Sequence, residues 1–279
     1  MLHDLIIEGK IVNPYAIHDA QIAIDNGYIT AIRNQGLNGE RKIEARRCLI
    51  FPGFIDLHAH LREDSSHKWD YKEDFKSGTA AALHGGITTV IDMPNTPLPG
   101  ISTDRLIKKK ELARTEGLID ILFYGGVSDS NINTIATMQK EVIAYKIYLA
   151  ETTGGLYISD DVLPKAIAAV EATAKPLVIH CEDQRVIEKM RERLKVNLLA
   201  HSELRPEEAE LSAVKKVLAA ASGDIKTKKN KIDIAHVSVY RTLDLIGKRF
   251  HCEVTPHHLF FTKKDVQANA FLKVNRSLK

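Results

Sequence analysis

From about residue 50 onward, strand-like apolar runs alternate with helical patterns of ten or more residues, and this alternation most constrains the fold. Such a pattern is typical of βα units, whose strands form a parallel sheet covered by helices. The seven predicted strands are Leu49–His58, Ile87–Asp92, Ile119–Tyr124, Val142–Tyr148, Leu177–His180, Ile232–His236 and Cys252–Thr255. We therefore predict an α/β fold with a TIM-type (β/α)₈ barrel, in which residues 51–279 supply about seven of eight βα units.

The first 50 residues follow a different pattern, in which apolar and polar positions alternate in short runs. Asn26-Gly27 separates two of these runs and is typical of a tight hairpin, because both residue types tolerate a positive φ. Residues 1–50 are therefore predicted to form a small N-terminal β module of β-sandwich type.

Three of the predicted helices have recognisable starts. Ser102 and Thr103 are both placed to cap a helix that stops before Gly117, and Ser159-Asp160-Asp161 is placed to open another. Pro206-Glu207-Glu208 puts a proline and negative charges in the first turn of a third helix.

The composition argues against a nucleic-acid-binding, membrane-spanning or disulfide-rich protein. The chain has 279 residues with 39 basic and 36 acidic side chains, a net charge of +3, which gives no sign of a nucleic-acid or membrane surface. Its three cysteines are widely spaced and form no Cys-x-x-Cys, which favours a reducing compartment. No stretch reaches the roughly 18 apolar residues of a membrane span, so a cytoplasmic protein is expected.

Two histidines, His58 and His60, stand at the end of the first predicted strand. Residues two apart in a strand project to the same face, so both imidazoles can reach one metal ion. Two surface or core histidines without a metal remain the alternative. Arg62, two positions further on, is placed to hold an anionic substrate close to such a metal.

Other polar residues also fall at predicted strand ends. Asp92 and Asn95 follow the second strand, Lys146 lies in the fourth, and His180 and His236 close the fifth and sixth. In a (β/α)₈ barrel those ends converge on one mouth, where the active site lies. Taken singly, His180 and His236 could each be a buried histidine that is hydrogen-bonded to backbone and has no role in a metal site. A buried lysine is harder to explain, since its charge must be paired or neutralised; carboxylation by CO₂ would turn it into an anionic ligand that bridges two metal ions.

Several segments combine into one pattern. They are residues 52–62, 72–75, 77–81, 85–90, 92–96, 180–182, 236–238 and 253–258. This pattern resembles the amidohydrolase superfamily and, in its cyclic amidohydrolase group, the dihydroorotases. The resemblance implies hydrolytic opening, or reverse closure, of a cyclic amide by a hydroxide bound to two metal ions. The expected reaction is interconversion of N-carbamoyl-L-aspartate and (S)-dihydroorotate in de novo pyrimidine biosynthesis.

The resemblance also implies a ligand for each metal ion. It makes His58 and His60 ligands of the first ion, His180 and His236 ligands of the second, and Lys146 an N6-carboxylated bridge between them. Two divalent ions are expected, and zinc is chosen because it is common in hydrolytic sites of this kind.

By the same resemblance, Arg62 and Asn95 grip the substrate carboxylate, and Asn275 makes a further substrate contact. An arginine suits this task because its planar fork meets a carboxylate with two hydrogen bonds. These residues favour a dihydroorotase over the alternative, a hydantoinase- or allantoinase-type enzyme, whose substrates lack that carboxylate. Relatives are often dimers, so a homodimer is possible, as is association with aspartate carbamoyltransferase.

The general base of the family is an aspartate expected beyond Lys279, so no catalytic residue is assigned within the chain. The sequence prediction leaves two explanations open. The chain is either an incomplete record of a working dihydroorotase or a shortened, non-catalytic partner of the preceding pathway enzyme.

Further titratable residues lie near the predicted site. Asp56 and Glu253 are placed either to orient imidazoles or to make ordinary core hydrogen bonds. His257 and His258 are adjacent, so in an extended segment they would point to opposite sides and could not both line the site. His67 lies in a loop and is expected to be structural.

Overall fold

The computed structural model describes residues 2–194, 201–221, 231–274 and 277–278. The chain divides into two compact units. Unit 1 consists of Met1–Ile55 and Gly85–Thr89, and unit 2 consists of Asp56–His84 and Val90–Lys279.

Four strands form the sheet of unit 1: β1 (Leu2–Val12), β2 (Ile17–Asp25), β3 (Tyr28–Arg33) and β4 (Asn38–Ile50). Their spatial order is β3-β2-β1-β4, with β1 antiparallel to β2 and parallel to β4. Ile11, Ala20 and Ile22 pack together in its apolar core. Asn26 and Gly27 join β2 to β3 with φ values of 53° and 80°, as the predicted hairpin requires.

The connection that follows β4 differs from the prediction. The strand predicted over Leu49–His58 begins only at Phe54, because residues 49 and 50 pair with β1 as the end of β4. Pro52 has no N–H group to donate to a strand pairing, and this separates the two strands. At Gly53 a Cβ atom would lie 2.1 Å from Oγ1 of Thr88, so a larger residue would require Thr88 to move.

Seven strands form a second sheet: β5 (Phe54–Ala59), β6 (Ile87–Asp92), β7 (Asp120–Gly126), β8 (Ala144–Tyr148), β9 (Leu177–His180), β10 (Ile232–Ile234) and β11 (His251–Cys252). Strand order in this sheet follows chain order from β5 to β11, and the pairings from β7 to β11 are parallel. The predicted α/β class is therefore confirmed. Strand β10 is shorter than predicted because the backbone turns at His236, where φ is 39°.

The helices are α1 (Phe75–His84), α2 (Thr103–Glu116), α3 (Leu163–Glu171), α4 (Gln184–Arg193), α5 (His201–Leu204), α6 (Glu207–Ala220), α7 (Tyr240–Ile246), α8 (Pro256–Phe260) and α9 (Lys263–Ala268). Of the two predicted caps of α2, Ser102 is the one observed, and Thr103 is the first residue of the helix. Helix α6 begins directly after Pro206. The helix predicted to open at Ser159 begins at Leu163 without a side-chain cap. Asp160 instead accepts a hydrogen bond from Lys216 at 2.9 Å.

Apolar side chains fill the centre of the seven-stranded sheet. One core cluster of unit 2 consists of Ile91, Met93, Tyr124, Ala144, Val178 and Ala235. The polar residues of interest follow this cluster along the strands, at their carboxyl ends. Across the described ranges, no helix is both long enough and apolar enough to cross a membrane.

Candidate active site

A cavity of about 500 Å³ opens at the carboxyl ends of the strands of unit 2. Six of the predicted site residues line it: His58, His60, Arg62, Asn95, His180 and His236. Lys146 is fully buried in β8. Asn275, the remaining predicted site residue, lies outside the described residues.

At the end of β5, each imidazole is held through its Nδ1 atom. Nδ1 of His58 contacts Oε1 of Glu253, and Nδ1 of His60 lies 2.9 Å from Oδ1 of Asn95. Because both partner atoms are acceptors, these contacts assign the proton to Nδ1 and the lone pair to Nε2 of each ring. Lone pairs on Nε2 are what a metal ligand needs.

The two imidazoles of this pair also stay neutral. Burial lowers the pKa of His58 well below its usual value, and the nearby charge of Lys146 lowers it further. Burial lowers the pKa of His60 well below its usual value as well, with a further contribution from Arg62. Neutral rings retain the lone pair that a cation would bind.

The second pair of histidines comes from β9 and from the turn after β10. Nδ1 of His180 lies 3.0 Å from Nε2 of His236, and Nε2 of His180 lies 2.8 Å from Oε2 of Glu182. His236 adopts a positive φ of 39°, an arrangement that costs energy in a non-glycine residue and occurs at functional sites. The two pairs are adjacent, since the ring centroids of His58 and His236 are 5.1 Å apart.

Lys146 is the fifth member of this group, which we call the His–Lys cluster: His58, His60, Lys146, His180 and His236. Its side chain extends from β8, and Nζ lies 5.4 Å from the ring centroid of Tyr148. The Lys146 charge lowers the pKa of both His58 and His60, so it acts on the imidazoles of the first pair. The structure therefore brings together five side chains that lie in, or within two residues of, four strands.

A different trio of possible metal ligands also exists. Ligand atoms of Glu63, His67 and Asp70 lie within 4.8 Å of one another on the loop after β5, and this is the one such trio of His, Cys, Asp or Glu side chains among the described residues. His67 is exposed and bonds Asp70 at 2.6 Å. The four histidines of the His–Lys cluster approach one another in pairs instead: His58 with His60, and His180 with His236.

Arg62 and Asn95 lie beside the first histidine pair. Arg62 makes one hydrogen bond among the described residues, from Nη1 to the carbonyl oxygen of Asn95 at 3.3 Å, and no carboxylate there forms an ion pair with it. Burial lowers the pKa of Arg62. Both polar atoms of the Asn95 side chain form hydrogen bonds. Oδ1 accepts from Nδ1 of His60, and Nδ2 donates to Oγ1 of Thr152 at 3.1 Å. Asn95 therefore positions its neighbours within the protein, and its contact with substrate stays a prediction.

Two other predictions can be compared with the structure. Glu253 contacts the His58 ring, whereas the one hydrogen bond of the Asp56 side chain among the described residues is from the backbone N–H of His58, at 2.9 Å. The prediction that His257 and His258 cannot both line the site was wrong, because both face the cavity. The segment is helical rather than extended, and both rings bond to Thr255.

Sequence reasoning missed two charged residues of the site. Glu182 contacts His180, and Nη1 of Arg205 donates to the same Glu182 oxygen. Glu182 lies two residues after His180, which is a weak signal. Arg205 precedes the proline of α6 and gave no sign of a role in the cavity.

Residues 49–248 match the amidohydrolase family. This chain belongs to that family. The predicted resemblance to the amidohydrolase superfamily is therefore confirmed.

Its curated relatives include several dihydroorotases. This amidohydrolase is 34% identical to the dihydroorotase of Thermococcus kodakarensis, over 98% of this chain and 61% of the relative. It is 34% identical to the dihydroorotase of Pyrococcus furiosus, over 97% of this chain and 59% of the relative. It is 33% identical to the dihydroorotase of Methanosarcina acetivorans, over 95% of this chain and 59% of the relative. The chain thus spans about 60% of the length of these relatives.

Solved structures support the fold. The L-hydantoinase (dihydropyrimidinase) from Arthrobacter aurescens superposes with a TM-score of 0.87 at 24% identity, over 99% of this chain and 64% of that structure. A D-hydantoinase superposes with a TM-score of 0.83 at 26% identity, over 96% of this chain and 61% of that structure. These similarities agree with the predicted barrel type for the seven-stranded sheet of the amidohydrolase.

Proposed function

We propose that this amidohydrolase is a dihydroorotase, which interconverts dihydroorotate and N-carbamoyl-L-aspartate. The dihydroorotases among its relatives support the proposal. The observation that carries it is the position of Arg62, a cation without a carboxylate partner among the described residues, on the same cavity as four histidines. This arrangement suits a small ring that bears a carboxylate.

The His–Lys cluster fits a pair of divalent metal ions, for which we propose Zn²⁺. His58 and His60 would hold one ion through Nε2, and His180 and His236 would hold the other through Nδ1 and Nε2. The fit rests on the neutral imidazoles of the first pair and on the acceptors that hold the opposite ring nitrogens of three histidines. We propose that Lys146 is carboxylated on Nζ by CO₂, with loss of a proton, and would serve both ions as a ligand.

Bound divalent ions supply a Lewis acid that polarises a carbonyl group and makes water more acidic. The residues of the chain provide the remainder of the proposed chemistry. Arg62 binds the ring carboxylate and thereby orients the amide bond toward the His–Lys cluster. In the hydrolytic direction the amide C–N bond breaks, a C–O bond to the water oxygen forms, and the nitrogen takes up a proton. Asn95 holds the His60 ring and the Arg62 guanidinium in place.

A hydantoinase-type activity is the second candidate, and its support is the likeness to a hydantoinase structure at 26% identity. Hydantoins lack the ring carboxylate of dihydroorotate, so they would leave the Arg62 charge without a partner. We therefore prefer an anionic ring as substrate.

Replacing Arg62 by alanine tests the proposed substrate. We expect the Kd for dihydroorotate to rise about 10- to 100-fold, because a hydrogen bond to a charged group contributes about 1.5–3 kcal/mol. The chain has a single tryptophan, Trp69, whose ring centroid lies 5.9 Å from Cζ of Arg62, so its fluorescence can report binding at this place. Titration of the Zn²⁺-loaded chain with dihydroorotate gives the Kd of each variant.

A matched control is Arg105→Ala, since Nη1 of Arg105 also donates to a backbone carbonyl, that of Pro99, at 3.3 Å. This change should leave the Kd as it is. Dihydrouracil, the same ring without the carboxylate, should bind wild type and Arg62→Ala equally. An equal loss for both rings would contradict the carboxylate role of Arg62 and favour the hydantoinase-type reading.

A further inference from the structure

A buried ion pair lies directly behind His180. Glu182 is 1% exposed and Arg205 is 8% exposed, and Nη1 of Arg205 donates to Oε2 of Glu182. The same Oε2 atom lies 2.8 Å from Nε2 of His180. The other nitrogen of the His180 ring, Nδ1, lies 3.0 Å from Nε2 of His236, so this ring connects Glu182 to His236.

Stability of the fold does not explain why this buried ion pair is present. Removing two charges from water costs about as much as their attraction returns, so a buried ion pair by itself contributes little to the fold. The pair is also built from distant parts of the chain. Glu182 follows β9, whereas Arg205 lies between α5 and α6, where Oγ of Ser277 donates to its carbonyl oxygen at 3.3 Å.

A neighbouring pair shows what a purely structural contact looks like here. Asp183 is buried next to Glu182 in sequence and accepts from Nζ of Lys216 at 2.8 Å. It also accepts from Ser212 at 2.6 Å and caps α4 through the N–H of Arg185. Asp183 thus ties β9 and α4 to α6, while the Glu182 carboxylate is directed at an imidazole.

We propose that Glu182, held by Arg205, is a positioning residue that fixes the orientation and tautomer of His180. The inference rests on the proposed function only where His180 serves a metal ion. A carboxylate at Nε2 places the ring proton there and leaves the lone pair on Nδ1, the atom that faces His236. A carboxylate partner also makes the imidazole a stronger ligand. Arg205 keeps the carboxylate in place with its rigid guanidinium fork.

The first test compares Glu182→Gln with Asp183→Asn, which makes the same chemical change in the adjacent buried carboxylate. We expect Glu182→Gln to weaken binding of one of the two metal ions by about 10- to 100-fold, as loss of such partners does elsewhere. Competition with a chelator measures that affinity, and the visible spectrum of the Co²⁺-loaded chain reports the altered ligand geometry. Asp183→Asn should lower the unfolding midpoint but leave affinity and spectrum unchanged. Equal effects of both variants on the spectrum would overturn the proposal.

The second test needs no metal. Nitrogen-15 NMR of the metal-free chain distinguishes the two imidazole tautomers, and we expect His180 to carry its proton on Nε2 in the wild type. Glu182→Gln should give a mixture of tautomers, and Arg205→Lys, which keeps the charge, should restore part of the wild-type signal relative to Arg205→Met. A wild-type His180 protonated on Nδ1 would overturn the proposal even if Glu182→Gln fails to fold.

The two readouts separate the inference from the proposed function. A wild-type chain that binds no divalent metal but shows the Nε2–H tautomer contradicts the metal site and supports the positioning role. Normal metal binding with the same affinity in Glu182→Gln contradicts the positioning role alone.

Discussion

Methionine in place of Lys146 is expected to abolish binding of the paired metal ions and, with it, any hydrolytic turnover. Each histidine pair offers two imidazoles, and zinc sites in proteins usually have about three or four protein ligands. In the proposed site the ligand shared by both pairs is Lys146, which is fully buried in β8. Methionine keeps the length of the stem and removes the amine. Metal analysis of the dialysed chain should fall from about two ions per chain to nearly none.

The control for this change is Lys165→Met, at an exposed position of α3. It should leave the metal content as it is. Removing CO₂ and bicarbonate before loading should lower the metal content of the wild type alone, since carboxylation needs them. Full metal content in Lys146→Met would show that the lysine is not a bridge, and the proposed binuclear site would then be wrong.

The second large effect is expected on stability, from Lys109→Met. Nζ of Lys109, on α2, forms an ion pair with Oδ2 of Asp92, and both side chains are almost completely buried. It also lies 6.0 Å and 5.8 Å from the ring centroids of Phe75 and Phe123. Burial raises the pKa of Asp92, and the Lys109 charge opposes that shift. Removing one partner of a buried pair leaves an uncompensated charge, so we expect a loss of about 3–5 kcal/mol in the free energy of unfolding.

Urea unfolding measures this loss. Lys108→Met provides the comparison, because Lys108 is the exposed neighbour of Lys109 on the same helix and should change stability little. The double variant Lys109→Met/Asp92→Asn should recover part of the loss, since it removes the uncompensated carboxylate. A loss no greater than that of Lys108→Met would mean that the ion pair does not stabilise the fold.

This pair also matters for the candidate site. Oδ1 of Asp92 accepts the backbone N–H of Leu61 at 2.8 Å, and Leu61 lies between His60 and Arg62. Lys109→Met should therefore disturb a predicted metal ligand and the predicted substrate-binding arginine together.

The strand pattern made most of the site predictable. His58, His60, Lys146 and His180 stand at or near strand ends, and the topology of parallel βα units brings such positions together. His236 lies two residues beyond the end of β10, within reach of the same mouth.

The partners that hold these side chains were harder to predict. Arg205 meets Glu182 across 23 residues of sequence, and no local pattern predicts which arginine will reach a given carboxylate. The error at His257 and His258 has a different origin. A period of two residues was assumed where Pro256 starts a short helix, and short helices have too few residues to show their own period.

Strand order also bears on how the chain acquires its site. In the seven-stranded sheet every strand lies next to its successor in sequence, so a nascent chain can add each βα unit to one already in place. The His58–Glu253 contact, by contrast, joins residues 195 positions apart. A ribosome adding about 5–20 residues per second needs on the order of 10–40 s to synthesise that interval. The His58 imidazole therefore gains its carboxylate partner only after β11 has been made, and most of the sheet is synthesised before the site is complete.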